Sequence, residues 1–126
     1  MKNHNKANLG RAFEEQVERS NLTYRNRGLA VVEKLHTEVA VKRKGKELVQ
    51  AKFISKTGVD FVGIANGQAV AFDAKSTADA TKFPLSNVAD HQLQFMRDFE
   101  VQGGISFLLI HVKAKFTTYL LTLAQL

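Results

Sequence analysis

The chain has 126 residues, with 18 lysines and arginines against 12 acidic residues, a formal charge of +6 and an isoelectric point of about 9.7. That length predicts one domain over residues 1–126, and a hydrophobic content of 44% is enough to build its core, which excludes a disordered chain. The absence of cysteine excludes disulfide scaffolds, thiol nucleophiles and cysteine-ligated zinc or iron–sulfur centres. The most apolar stretch, near Ile105–Ile110, is too short to span a bilayer, and the polar start Met1-Lys2-Asn3-His4-Asn5-Lys6 lacks the apolar segment of a signal peptide. The expectation is a soluble, cytoplasmic domain without membrane association.

Leu9, Phe13, Val17 and Tyr24 recur at helical spacing and predict an amphipathic helix over roughly 8–26, with Gly28 as its stop. Leu29–Leu35 and Glu38–Lys42 read as strands. The basic run Lys42-Arg43-Lys44-Gly45-Lys46 reads as a turn before a further strand, Leu48–Ile54. Asn66-Gly67 between two apolar runs is a strong hairpin signal. Ser76–Asn87, with the sole proline at Pro84, reads as a loop, and Val88–Val101 as a second helix ended by Gly103-Gly104. Ile105–Val112 has the near-continuous apolar character of a central strand covered on both faces, and Phe116–Leu123 reads as one more strand. Helix, strands, helix, strand is a compact α/β layout.

Charge is uneven along this layout. Residues 1–57 carry 13 basic and 6 acidic side chains, whereas residues 58–126 carry 5 and 6. A basic half suits a polyanion, since neutralising phosphates releases condensed counterions, although a solvated surface has the same composition.

A two-residue turn at Asn66-Gly67 pairs Ala65 with Gln68 and, by extension, Val62 with Ala71 and Asp60 with Asp73. Directly opposed residues share a face with Cβ atoms about 4.5–5.5 Å apart. Lys75, two residues beyond Asp73, shares it as well. Ala69 and Ala71 on that side are small and leave open space, whereas Val70, Phe72 and Ala74 on the other side look like core. Two opposed carboxylates repel, and three arrangements relieve them: a shared proton, a salt-bridge triad with Lys75, or a divalent cation held by hard oxygen ligands. On the second helix, Val88, Gln92, Phe95, Met96 and Phe99 line one arc. Gln92 therefore either bonds backbone within the core or reaches into a site. Glu14 lies at the edge of the first helix's apolar face. His4, His36, His91 and His111 show no ligand spacing.

Asp60-X12-Asp73-X-Lys75 has the form of the PD-(D/E)XK nuclease signature. Gly10-Arg11-Ala12-Phe13-Glu14-Glu15, Asp60-Phe61-Val62-Gly63, Phe72-Asp73-Ala74-Lys75, Thr81-Lys82-Phe83-Pro84-Leu85 and Asp90-His91-Gln92 with Met96 follow one another in the order and spacing of the RecU-type Holliday junction resolvases. Gly103-Gly104-Ile105-Ser106-Phe107 fits the strand that follows. The sequence resembles that family from about Leu9 to Leu123, in the short version that bacteriophages carry, without the N-terminal extension of cellular members. Val59 stands where the general motif has proline, and Asp73 where close relatives tend to have glutamate.

The resemblance implies a restriction-endonuclease-like mixed β-sheet flanked by helices and a homodimer that cuts four-way junction DNA with Mg2+, Mn2+ being an alternative, and no organic cofactor. Asp60, Asp73 and Glu14 match the metal-binding acids, Lys75 the motif lysine and Gln92 the polar helix residue beside them. Segment 41–55 falls where the family projects a stalk into the junction, and here it carries Lys42, Arg43, Lys44, Lys46 and Lys52. Arg11, Arg25, Arg27 and His91 complete the expected DNA contacts. The competing expectations are a nuclease of the same fold acting on another DNA structure, and a non-catalytic junction-binding protein.

Overall fold

The computed structural model describes residues 2–35, 39–53 and 58–126. Glu38, with which the second strand was expected to open, and Ile54 and Ser55 at the end of the expected stalk lie outside the described residues. Helix α1 spans Lys2–Asn26 and begins before residue 8, because no glycine or proline interrupts its first turns. Phe13 and Val17 are buried, but the next position on that stripe is Asn21, while Tyr24 is turned to solvent. Gly28, with φ +71, ends the turn that follows the helix.

Five strands form the main sheet in the order β1 (Ala30–Lys34), β4 (Phe61–Ala65), β5 (Gln68–Thr77), β6 (Ile105–Val112) and β7 (Thr117–Thr122). Only the β5–β6 pair is parallel, and helix α2 (Asp90–Val101) lies in the crossover between them. β5 runs to Thr77, past the point where the sequence suggested a loop, because Ser76 and Thr77 continue the ladder with His111 and Val112. Helix α2 starts at Asp90, since Ala89 is extended and Leu85–Asn87 forms a separate 3-10 turn.

The β4–β5 hairpin has the expected register, with Ala65 opposite Gln68 and Val62 opposite Ala71. Asn66 and Gly67 both have positive φ, +51 and +75, as a type I′ turn requires. Under α1, Phe61, Phe72 and Phe107 occupy matching positions on three adjacent strands. Their rings stack at centroid distances of 5.0 and 4.8 Å. On the opposite face Ala69 is exposed, as its small size suggested, but Ala71 has no open space beside it. Ala71 is fully buried in a core with Val59, Val88, Met96 and Leu108, because α2 closes over β5 and β6.

β2 (Val39–Lys44) and β3 (Glu47–Phe53) form a hairpin of their own that shares no ladder with the main sheet. Gly45, with φ +64, makes its tip, so the basic run occupies one arm and the tip rather than a turn alone. A bulge between Lys42 and Arg43 breaks the register. Among the described residues no helix is long and apolar enough to cross a membrane.

Candidate active site

The hairpin register carries Asp60, just ahead of β4, up to Asp73 in the middle of β5. The Asp60 amide donates to Asp73 Oδ1 at 3.0 Å, and the Ala74 amide donates to Asp60 Oδ2 at 3.5 Å. Gly58 and the fully buried Val59 guide the chain into this position. A side chain at Gly58 would collide with the ring of Phe95 on α2, so only glycine lets the strand approach so closely.

Asp73 is fully buried, yet each of its oxygens is occupied. Its Oδ2 lies 2.8 Å from Lys75 Nζ and accepts from Gln92 Nε2 at 3.0 Å. Gln92 Oε1 in turn accepts from Lys75 Nζ at 3.3 Å and from the Ala89 amide at 3.2 Å. Gln92 is the third residue of α2, so its side chain both satisfies an amide at the open helix end and enters the site. The two alternatives read from sequence are thus both present in one side chain. Asp73, Lys75 and Gln92 form a closed triangle in which every corner holds the other two.

Burial pushes the Asp60 carboxyl up to about 7, with its hydrogen bond to Asp73 and the negative charges of Asp73 and Glu14 adding to the effect. Glu14 itself is paired with Lys34, whose Nζ lies 3.0 Å from Glu14 Oε2. Glu14, followed by Glu18 and Asp60, raises the pKa of that lysine above its ordinary value, against the opposing effect of burial. Among the described residues Asp73 is paired with Lys75 and Glu14 with Lys34, and Asp60 makes no salt bridge to a lysine.

Among the described residues no three acidic or histidine side chains converge as a ready metal cage. The donor chemistry nonetheless fits a hard divalent cation. Asp60 and Asp73 supply carboxylate oxygens side by side, and burial together with Asp73 holds the Asp60 proton to about neutral pH. Binding such an ion requires Asp73 Oδ2 to be shared with, or released by, Lys75 and Gln92. Glu14 enters only if its pairing with Lys34 loosens.

The remaining expected contacts are spread more widely. Lys42, Arg43, Lys44 and Lys46 are exposed on the β2–β3 hairpin, and Arg11, Arg27 and His91 are exposed on the main body. Arg25 is paired with Glu33 on β1. Lys52 stands in β3, but its side chain lies outside what the structure describes. His111 stacks under Phe13 at 5.1 Å and bonds Thr118 at 3.1 Å, a packing role. Lys34 was missed. Its signal was a lysine at the inward-facing end of an alternating strand, where a half-buried ammonium favours a nearby acid.

A mixed five-stranded sheet with helices on both faces and a two-stranded hairpin beside it is a restriction-endonuclease-like α/β architecture. A family profile described as Recombination protein U matches residues 8–126. The chain belongs to the RecU family. It is similar to the Holliday junction resolvase RecU of Pediococcus pentosaceus, 36% identical over 107 residues covering 80% of this chain and 53% of the relative. Similarity to the Streptococcus pneumoniae protein of the same name is 34% over 123 residues, 93% of this chain and 62% of the relative. The Lactococcus lactis protein of that name is 35% identical over 118 residues, 89% of this chain and 55% of the relative. The chain thus spans between half and two-thirds of the length of the curated relatives it matches.

Proposed function

We propose that the chain is a structure-selective endonuclease that resolves four-way DNA junctions in recombination by paired, metal-dependent hydrolysis of phosphodiester bonds. The observation that carries this reading is the opposed Asp60–Asp73 pair with Lys75 and Gln92 locked to it, on a restriction-endonuclease-like sheet in a chain of the RecU family. Asp60 and Asp73 would hold a divalent ion, Mg2+ in preference and Mn2+ as a substitute, with Glu14 completing the set. Such an ion supplies Lewis-acid polarisation of the scissile phosphate and a lowered pKa for an attacking water.

The chain's own side chains do the rest. Lys75 stands beside Asp73 with an ammonium that can orient the nucleophile or meet charge developing on the phosphate. Gln92 fixes where that ammonium points, since it bonds Lys75 and Asp73 together. The buried floor of Ala71, Met96 and Leu108 keeps water from beneath the carboxylates, and this strengthens each of these interactions. The basic hairpin 39–53 would serve as the stalk that meets converging backbones, and a two-fold homodimer would supply the two sites that symmetric resolution needs. The protein would work in the cytoplasm, where the DNA is.

The test compares nicking of labelled four-way junctions and linear duplexes with Mg2+, using Asp73→Asn as control. The reading expects junction-selective nicking by the wild type and junction binding without nicking by the variant. Equal or better cutting of linear duplex would overturn the junction assignment, and nicking by Asp73→Asn would overturn the site.

A further inference from the structure

The catalytic face of the sheet does not end at Lys75. Thr77 follows two residues further on the same face of β5, Ile110 of β6 stands opposite Lys75, and Tyr119 of β7 stands opposite Ile110. Strands lie about 4.8 Å apart, so Tyr119 is only two strand spacings, roughly 10 Å, from the lysine. Beyond β5 the segment 78–84 folds over this end of the sheet and leaves a cavity of about 260 Å3.

The cavity has a definite chemistry. Its floor is apolar, made of Ile110, Val112 and Leu121, and two aromatic rings, Phe83 and Tyr119, line it as well. Thr81 and Lys82 form its rim. The segment over it is held by its own bonds, independent of any ligand. Thr77 Oγ1 accepts from the Asp79 amide at 3.1 Å, and Asp79 Oδ1 accepts from the Thr81 amide at 2.8 Å, the Thr81 hydroxyl at 3.0 Å and the Lys82 amide at 3.2 Å. Outside, Lys82 is exposed, as are Lys113 and Lys115 just past the end of β6.

We infer that this cavity receives one unstacked nucleobase of the strand being cut, from a nucleotide adjacent to the scissile phosphate. The inference rests on the proposed nuclease reading, which places that phosphate at Asp60, Asp73 and Lys75. An apolar cavity with two aromatic rings in its lining can take the face of a base, while Lys82, Lys113 and Lys115 meet its backbone phosphates. The volume falls just below the range of about 300–1,000 Å3 common for whole small ligands, which suits a base without its sugar and phosphate. At a branch point stacking is already interrupted, so a base can leave the helix there at lower cost than from a continuous duplex. The cavity would convert shape-selective binding into a preference for particular cutting positions.

Cut positions mapped on a junction whose branch point can migrate test this, with the wild type, Tyr119→Ala and Tyr119→Phe. Tyr119 is half-exposed, so its truncation leaves the core intact. The inference expects wild-type cuts concentrated at a few positions, a spread pattern for Tyr119→Ala, and the wild-type pattern for Tyr119→Phe, which keeps the ring. A binding arm uses Asp73→Asn without metal on junctions carrying an abasic nucleotide on either side of the mapped position. Removing the base on one side should weaken binding about fivefold or more, and adding Tyr119→Ala should erase that difference.

Unchanged cut patterns together with equal affinity for intact and abasic junctions would overturn the inference and leave the nuclease reading standing. A change of oligomeric state on Tyr119→Ala would also overturn it, by making the site a contact between copies. A wild type that neither nicks nor selects junctions would bring down the nuclease reading, and this inference with it.

Discussion

Among the described residues Asp60 makes no salt bridge to a lysine, and its burial beside Asp73 has a thermodynamic consequence that can be measured without DNA. Its carboxyl is pushed from the ordinary 3.8 up to about 7, first by burial and then by Asp73 and Glu14. The folded state therefore binds this proton more tightly than the unfolded chain does. The associated stability is complete below about pH 4 and is lost as the pH rises through about 7. A shift of about three units corresponds to a ceiling of about 4 kcal/mol at 1.36 kcal/mol per unit. Asp60 is only half-buried and water screens part of the penalty, so about 1–2 kcal/mol is the working figure.

Asp60→Asn removes the titration while keeping the shape and an acceptor for the Ala74 amide. In metal-free buffer the variant should match the wild type near pH 4 and exceed it by about 1–2 kcal/mol at pH 8, a rise in Tm of roughly 5 °C. Added Mg2+ should narrow the gap, since the ion stabilises the carboxylate pair and not the amide. Thermal melts of both proteins from pH 4 to pH 8, with chelator and with Mg2+, give the result directly. A difference independent of pH, or a variant less stable than wild type at pH 8, would refute the claim that folding raises the Asp60 pKa.

Gln92→Ala should lower kcat for nicking by about 10–100-fold with little change in KM, measured on junction DNA, because Lys75 loses its guide. It should also lower stability by about 1–3 kcal/mol in denaturant melts, because the Ala89 amide and Asp73 Oδ2 lose a partner. Lys34→Met should leave Glu14 unpaired and strengthen Mg2+ binding as read by titration calorimetry, by releasing a third acid toward the ion. Replacing Lys42, Arg43 and Lys44 by alanine should weaken junction binding and flatten its dependence on salt, while Tm stays within about 2 °C, since all three are exposed. Gly58→Ala should unfold or strongly destabilise the protein, because the new methyl meets the ring of Phe95, and a melt against wild type decides it.

Local rules carried most of the architecture. Asn66-Gly67 dictates a hairpin register of its own, and because side chains alternate strictly along a strand, that register alone sets Asp60 against Asp73 and puts Lys75 on their face. The continuous apolar run of β6 and the helical periodicity of the arc of α2 that presents Gln92 were equally direct. Where the sequence misled, a partner strand or a helix had intervened. β5 outlasts its apolar run because β6 supplies a ladder, and Ala71 is small because α2 presses on it, not because space is left there.

What no periodicity could reveal is how the charges are shared out. Pairing energies fall steeply with distance and depend on burial, so they are settled only when helices and strands from distant parts of the chain meet. α1 and β1 together tie Glu14 to Lys34, and the first turn of α2 folds over β5 to bind Lys75 and Asp73 through Gln92. Residue order around the Asn66-Gly67 turn settles which residues face one another across the hairpin. Only the packing of helices against strands brings Asp73 to Lys75 and Gln92 and Glu14 to Lys34, while it buries Asp60 beside Asp73.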